Sequence, residues 1–244
     1  MVRHMNRRVG PRKIHGSKKL QTHDPAEFLR MLAPHIITEL RPPSELQKFT
    51  RNPDVVGAYV ETAVRAMIRR QVIPLQVASG TVIDQENIPG DPKLPQIDTI
   101  IWSPSPAPAV FQIDDFAVVP RSSAFGVLEI KSSAYDLPTL DSRLSVDFIH
   151  RVTADLTADE KVVVGEFEAA GLGVICLQKK NQSQRTIAKM ENANRVIVLF
   201  EEKEDTIEPR ARDIYTLVNF LAFMRYRRRL HEGLVTINLD LFKG

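Results

Sequence analysis

Short β-branched segments lie between two strongly periodic helical patterns in this sequence, and that order restricts the chain to the α/β fold class. Asn52 is a suitable N-cap and Pro53 suits the first helical position, so the apolar stripe that follows predicts a helix to about Gln71. Three short segments bounded by Gly and Pro predict consecutive strands: residues 77–84, 96–102 and 124–132.

Further patterns extend this architecture on both sides. Between the second and third strands, a segment with three alternating prolines predicts a rigid loop and an extra hairpin strand. The remaining helices are predicted at residues 25–40, 138–149, 159–170 and 210–230, and the remaining strands at residues 172–178, 195–200 and 235–242. Together these elements predict an α/β sandwich with a mixed sheet.

The positive charge of the chain is concentrated at its start. The 244 residues carry a net charge of +3, but residues 1–20 hold seven Lys or Arg and no acid, which leaves 3 − 7 = −4 for the rest. We expect residues 1–24 to be a disordered basic arm and residues 25–244 to form a single domain. A basic arm suits nucleic acid, because it neutralises phosphates; a solvated tail without a ligand is the alternative.

The chain has the features of a cytoplasmic protein. Its one cysteine, Cys176, lies in an apolar run, where we expect a small buried side chain and no disulfide. No run approaches the roughly 18 apolar residues that span a bilayer, so no membrane partner is expected. The sequence does not fix the oligomeric state; a homodimer is one candidate.

Two charged side chains end an otherwise apolar segment, FGVLEIK, at residues 125–131. The strand period of two places Glu129 and Lys131 on the same face, roughly 6–7 Å apart at the backbone. Burial of such charges is unfavourable unless they are paired, bound to a metal or in water. The pair therefore marks either a functional pocket or a strand end that meets solvent.

The neighbouring predicted strand contains a second carboxylate, Asp98, which shares a face with Ile100 and Trp102. Mg²⁺ and Mn²⁺ prefer oxygen ligands, and Mg²⁺ is usually held by one or two carboxylates plus substrate phosphate. Asp98 and Glu129 therefore predict a minimal divalent-metal site. Lys131 beside them could position a water nucleophile or stabilise charge on a phosphoryl group.

A third acid, Glu61, borders the apolar stripe of the helix at residues 53–71. Gly57, one turn earlier, leaves space for a strand or a ligand. Glu61 is either an acid directed toward the site or an exposed carboxylate paired with Arg65 four residues later.

This order of a helical acid, an acid in the second strand and a Glu-x-Lys tripeptide in the third resembles the PD-(D/E)XK nuclease superfamily. The residues that carry the resemblance are Glu61, Asp98, Glu129, Ile130 and Lys131, and it covers about residues 52–150. The resemblance implies a restriction-endonuclease-like αβββαβ core, with a mixed central sheet flanked by helices.

The resemblance also implies the activity and its residues. Asp98, Glu129 and the backbone carbonyl of Ile130 would bind Mg²⁺ or Mn²⁺, Lys131 would be the catalytic lysine and Glu61 an accessory acid. The expected protein is a metal-dependent endonuclease that hydrolyses phosphodiester bonds, with DNA favoured over RNA as its partner.

The sequence departs from the superfamily pattern in two places, and it leaves two other functions open. Ile97 stands where proline often precedes the acid, and the resemblance is closest to an uncharacterised branch with a Gln-x-Asp strand, here Gln96 to Asp98. The 30 residues between Asp98 and Glu129 require the proline-rich loop to be an insertion. The alternatives are a non-catalytic nucleic-acid-binding module on the same scaffold and an interaction protein in which Glu129 and Lys131 merely pair.

Overall fold

Eight strands in the described part of the chain form one mixed sheet. The structure, a computed structural model, describes residues 46–84, 95–133, 137–155, 170–179, 187–204 and 206–231, with side chains to residue 228. Four of the predicted segments lie wholly or mostly outside these residues: the basic arm at 1–24, the helix at 25–40, the helix at 159–170 and the strand at 235–242.

The first described helix, α1 (Pro53–Gln71), begins as the sequence predicts. The side chain of Asn52 accepts a hydrogen bond from the Asp54 backbone N–H at 3.0 Å, and Pro53 occupies the first turn, where no backbone donor is needed. Its apolar stripe, including Val56, Val60 and Val64, is buried against the sheet.

The strand order confirms the restriction-endonuclease-like αβββαβ core. After α1, three strands form an antiparallel series: β1 (Gln76–Ile83), β2 (Ile97–Trp102) and β5 (Ala124–Ser133). The chain then crosses through helices to β6 (Gly171–Gln178), which pairs parallel to β5, and β7 (Val196–Lys203) pairs parallel to β6.

The long spacer between β2 and β5 is accommodated at one edge of the sheet. It forms a hairpin of β3 (Phe111–Ile113) and β4 (Phe116–Pro120), and β4 pairs parallel to β1, away from β5. Gly80 makes the close contact between β1 and β4, because a Cβ there would collide with the Ala117 carbonyl and its φ is +143°. The expected extra hairpin strand is confirmed, as part of this β3–β4 hairpin.

Two sequence expectations about later elements are wrong. The helix expected at 138–149 is two short helices, α2 (Leu137–Arg143) and α3 (Val146–Val152), because the Ser145 side chain caps α3 by accepting from the Phe148 N–H at 3.3 Å. The second error is the missed strand β8 (Thr206–Pro209), which pairs antiparallel to β7 at the other edge of the sheet. The expected final helix is present as α4 (Ala211–His231).

Helices cover both faces of the sheet. The apolar sides of α1 and α4 form one buried cluster with β5 residues such as Leu128 and Ile130. On the opposite face, α2 and α3 cover residues such as Val127 and Ile175. Cys176 is buried at 3% exposure, as its apolar surroundings predict. No helix in the described part of the chain is both long and apolar enough to cross a bilayer.

Candidate functional site

Asp98 and Glu129 lie on neighbouring antiparallel strands, at the start of β2 and in the second half of β5. The register pairs Thr99 with Leu128, so the next step along both strands places Asp98 opposite Glu129. The backbone N–H of Ile130 donates a hydrogen bond to Asp98 Oδ2 at 2.8 Å. The structure therefore brings the two predicted metal ligands to one place.

Lys131 is ion-paired with Glu129, at 3.0 Å between Nζ and Oε1. Glu129 is 8% exposed. Burial and then the nearby Asp98 carboxylate raise the pKa of Glu129, and the charge of Lys131 opposes this rise. Glu129 is thus a buried acid beside a second carboxylate, with Lys131 as its ion-pair partner.

Glu61 projects from α1 on the other face of the sheet, where its charge reaches the buried thiol of Cys176. The pKa of Cys176 is raised strongly by burial and further by Glu61. Burial and then the Asp98 charge raise the pKa of Glu61 itself, while Arg65 and Lys131 lower it. Glu61 therefore interacts electrostatically with Asp98 and Lys131. It also forms the predicted ion pair with Arg65, at 3.5 Å between Oε2 and Nη1.

The described residues contain no group of three or more His, Cys, Asp or Glu side chains placed to hold one metal ion. The structure brings together Asp98, Glu129 and Lys131, but it does not add Glu61 as a third coordinating acid. Glu61 is instead ion-paired with Arg65.

Arg65 is a residue of the site that sequence reasoning placed only in a surface pair. It is 7% exposed, and its Nη1 donates a hydrogen bond to the Asp98 backbone carbonyl at 2.7 Å. This contact ties α1 to the start of β2 and fixes the backbone that carries the Asp98 carboxylate. In the sequence, the position of Arg65 beside Val64 on the apolar stripe is the feature that indicates its burial.

The donor set suits a hard divalent cation held by two carboxylates. The hydrogen bonds described for the acids engage Asp98 Oδ2 and Glu129 Oε1, which leaves one oxygen of each carboxylate for a cation. Two carboxylates plus substrate phosphate are a usual ligand set for Mg²⁺. The Ile130 carbonyl, on the strand between Glu129 and Lys131, stays a predicted ligand.

Two glycines on β6 let the α2–α3 segment approach the site closely. Gly173 pairs with Glu129, and a Cβ at Gly173 would lie 2.8 Å from Leu144 Cδ1 and 3.0 Å from Leu140 Cδ1. A Cβ at Gly171 would collide with the Ile149 side chain. The Gly-x-Gly spacing on one strand face therefore brings these helices directly over the strand next to Glu129.

The comparisons with known proteins give matches to solved structures at low sequence identity. No protein-family model matches the sequence, and no curated protein matches it. The chain is similar to the solved structure of NucC from P. aeruginosa ATCC27853 in its cAAA-bound form, with 17% identity, a TM-score of 0.49, and coverage of 82% of this chain and 91% of that one.

NucC from E. coli MS115-1 is similar to the chain in two solved forms. Its cAAA-bound form shows 16% identity and a TM-score of 0.49, with coverage of 89% of this chain and 95% of that one. Its apo form shows 16% identity and a TM-score of 0.43, with coverage of 89% of this chain and 97% of that one.

Proposed function

We propose that this protein is a Mg²⁺- or Mn²⁺-dependent nuclease of the PD-(D/E)XK superfamily that hydrolyses phosphodiester bonds, with DNA favoured over RNA. The observation that carries the proposal is the juxtaposition of Asp98, Glu129 and Lys131, fixed by the hydrogen bond from the Ile130 N–H to Asp98 Oδ2. The narrower assignment, to a branch with a Gln-x-Asp strand, rests on the sequence alone.

The residues divide the chemistry between them. Asp98, Glu129 and the Ile130 carbonyl would hold the cation, which when bound supplies an activated water and neutralises phosphate charge. Lys131 places a positive charge beside Glu129, where it can stabilise the extra negative charge that a phosphodiester gains as water attacks. Arg65 holds the Asp98 backbone in position through its 2.7 Å hydrogen bond.

Glu61 has a supporting role in this scheme. It pairs with Arg65 and adds negative charge near Asp98, so it acts as an accessory acid and not as a third ligand. The basic residues 1–20 would bind the phosphate backbone without reading its sequence. One buried free cysteine and no membrane-spanning helix in the described residues are consistent with a cytoplasmic enzyme.

The test is incubation of the purified protein with linear, circular and single-stranded DNA and with RNA, with Mn²⁺ or with EDTA. We expect DNA cleavage that needs the metal and is lost in Asp98→Asn, and cleavage of circular DNA would identify an endonuclease. Equal cleavage by wild type and Asp98→Asn would contradict the proposal.

A non-catalytic nucleic-acid-binding module is the second candidate. The observation that favours it is the direct Glu129–Lys131 ion pair, which partly neutralises a carboxylate that a metal would need. A protein of this kind would bind DNA in a salt-dependent way that persists in EDTA, without cutting it.

A further inference from the structure

Two arginines lie over the same aromatic ring on the α2–α3 side of the sheet. The guanidinium carbon of Arg143 is 5.0 Å from the centroid of the Phe148 ring, and that of Arg151 is 5.9 Å from it. Phe148 is 8% exposed, so the ring is a fixed support for both groups. The side chains are thereby oriented before any ligand is present.

Neither arginine has a carboxylate partner within the described residues. Four other arginines of this part do: Arg65 pairs with Glu61, Arg69 with Asp115, Arg121 with Asp84 and Asp155, and Arg210 with Asp213. Arg143 also has a buried Nη1 nitrogen with no hydrogen-bond acceptor. A buried donor without an acceptor is unfavourable, and it leaves the positive charge of Arg143 without a hydrogen-bonded counter-charge.

Arg143, one of the two arginines, lies next to the carboxylate site. Arg143 ends α2, whose Leu140 packs over Gly173, the register partner of Glu129. Burial and the Asp98 carboxylate raise the pKa of Glu129, while the charges of Lys131 and then Arg143 lower it. Arg143 is thus close enough to interact electrostatically with Glu129, and both lie on the same face of the sheet.

We propose that Arg143 and Arg151, held by Phe148, together bind one backbone phosphate of a nucleic acid adjacent to the Asp98–Glu129 site. Guanidinium groups present planar sets of donors that match phosphate oxygens, and two of them can engage one phosphate from two sides. The nucleic-acid ligand rests on the proposed function, whereas the anion site rests on the two arginines.

The experiment measures binding of a fluorescently labelled 30-base-pair duplex DNA in EDTA, at salt concentrations from 50 to 300 mM. The variants are Arg143→Gln, Arg151→Gln and the double variant. Arg212→Gln is the matched control, because it removes the same charge from α4 on the opposite face of the sheet. We expect the double variant to bind more weakly and its log–log salt slope to be shallower by about 0.9, the value for one lost phosphate contact.

The outcomes separate this proposal from the proposed function. Unchanged slopes in the double variant would overturn the phosphate site, even if the wild-type protein cleaves DNA with Mn²⁺. A shallower slope in a protein that never cleaves would support the phosphate site and contradict the nuclease. Arg151 is exposed, so Arg151→Gln tests the proposal should the double variant fail to fold, and an unchanged slope in it would likewise count against the site.

Discussion

Asp98 Oδ2 accepts a hydrogen bond from the backbone N–H of Ile130 at 2.8 Å, so this carboxylate has a structural role as well as a chemical one. Asp98→Asn keeps an oxygen that can accept this bond but removes the negative charge. We expect it to fold normally and to lose cleavage activity by at least about 100-fold, as for loss of one electrostatic contact to a transition state. Activity assays with Mn²⁺ and urea unfolding measure the two effects.

The matched variant Asp98→Ala removes both functions of the side chain. It leaves the Ile130 N–H without its acceptor, which should lower the free energy of unfolding by about 1–3 kcal/mol relative to Asp98→Asn. Equal stability of the two variants would show that the hydrogen bond does not hold β2 against β5.

Metal binding should stabilise the protein, and more so at high pH. A divalent cation binds the ionised acids, and burial and Asp98 raise the pKa of Glu129, so protons compete with the cation as pH falls. A ligand at about 100 times its Kd stabilises the folded state by about 2.7 kcal/mol. We therefore expect Mn²⁺ to raise the melting temperature by several degrees at pH 8. At pH 5, where protons compete for the acids, the rise should be much smaller.

Thermal melts with Mn²⁺, and with EDTA added afterwards, measure this effect. Asp98→Asn should abolish the shift. A shift of the same size in that variant would place the metal elsewhere.

Without metal, the two acids should make the folded state less stable as pH rises. Burial raises the pKa values of Glu129 and Glu61 above 4.5, so between that value and each folded pKa the folded protein binds more protons than the unfolded chain. Stability therefore falls as pH rises through this window, and the loss is complete above the folded pKa. Glu129→Gln should remove the contribution of Glu129 to this dependence of stability on pH.

The slope is the informative quantity, because Glu129→Gln also removes the partner of Lys131 and so shifts stability at every pH. Between pH 4.5 and 8 in EDTA, the urea midpoint of the wild-type protein should fall relative to that of Glu129→Gln. Parallel curves would contradict the assignment of a raised pKa to Glu129.

The sequence predicts the elements whose signals are local. Asn52 and Pro53 mark the start of α1, and the apolar segment before Glu129 marks β5, because capping and periodicity depend on neighbours in the chain. The break between α2 and α3 at Ser145 lay within a continuous helical pattern, so the competing local cap was missed.

The site was predictable as far as it depends on charges in apolar strands. Asp98 and Glu129 stand out for that reason, and the register brings them together. The role of Arg65 depends on a contact 33 residues away in the chain, and that of Arg143 on the side chain of Phe148 from the next helix, which no periodicity reveals.

Gly173→Ala should lower stability by interfering with α2 above the site. The added Cβ would lie 2.8 Å from Leu144 Cδ1 and 3.0 Å from Leu140 Cδ1, so these buried leucine side chains must move, at a cost of about 1–3 kcal/mol for overpacking. Leu144→Ala in the same protein relieves that contact, so the double variant should be more stable than the sum of the two single effects predicts. Strict additivity in urea unfolding would show that Gly173 and Leu144 do not interact.

Glu61→Gln distinguishes an accessory acid from a metal ligand. Glu61 engages Arg65, whose Nη1 holds the Asp98 carbonyl, so it acts one step away from the carboxylates. We expect cleavage to fall by about 10-fold, the lower end of the effect of groups that support metal ligands, with the Mn²⁺ concentration for half-maximal activity little changed. Arg65→Gln removes the bond to Asp98 itself and should reduce activity further. If Glu61→Gln instead matched Asp98→Asn in both activity and Mn²⁺ dependence, Glu61 would have to coordinate the ion directly, and the helix would have to move toward the strands when metal binds.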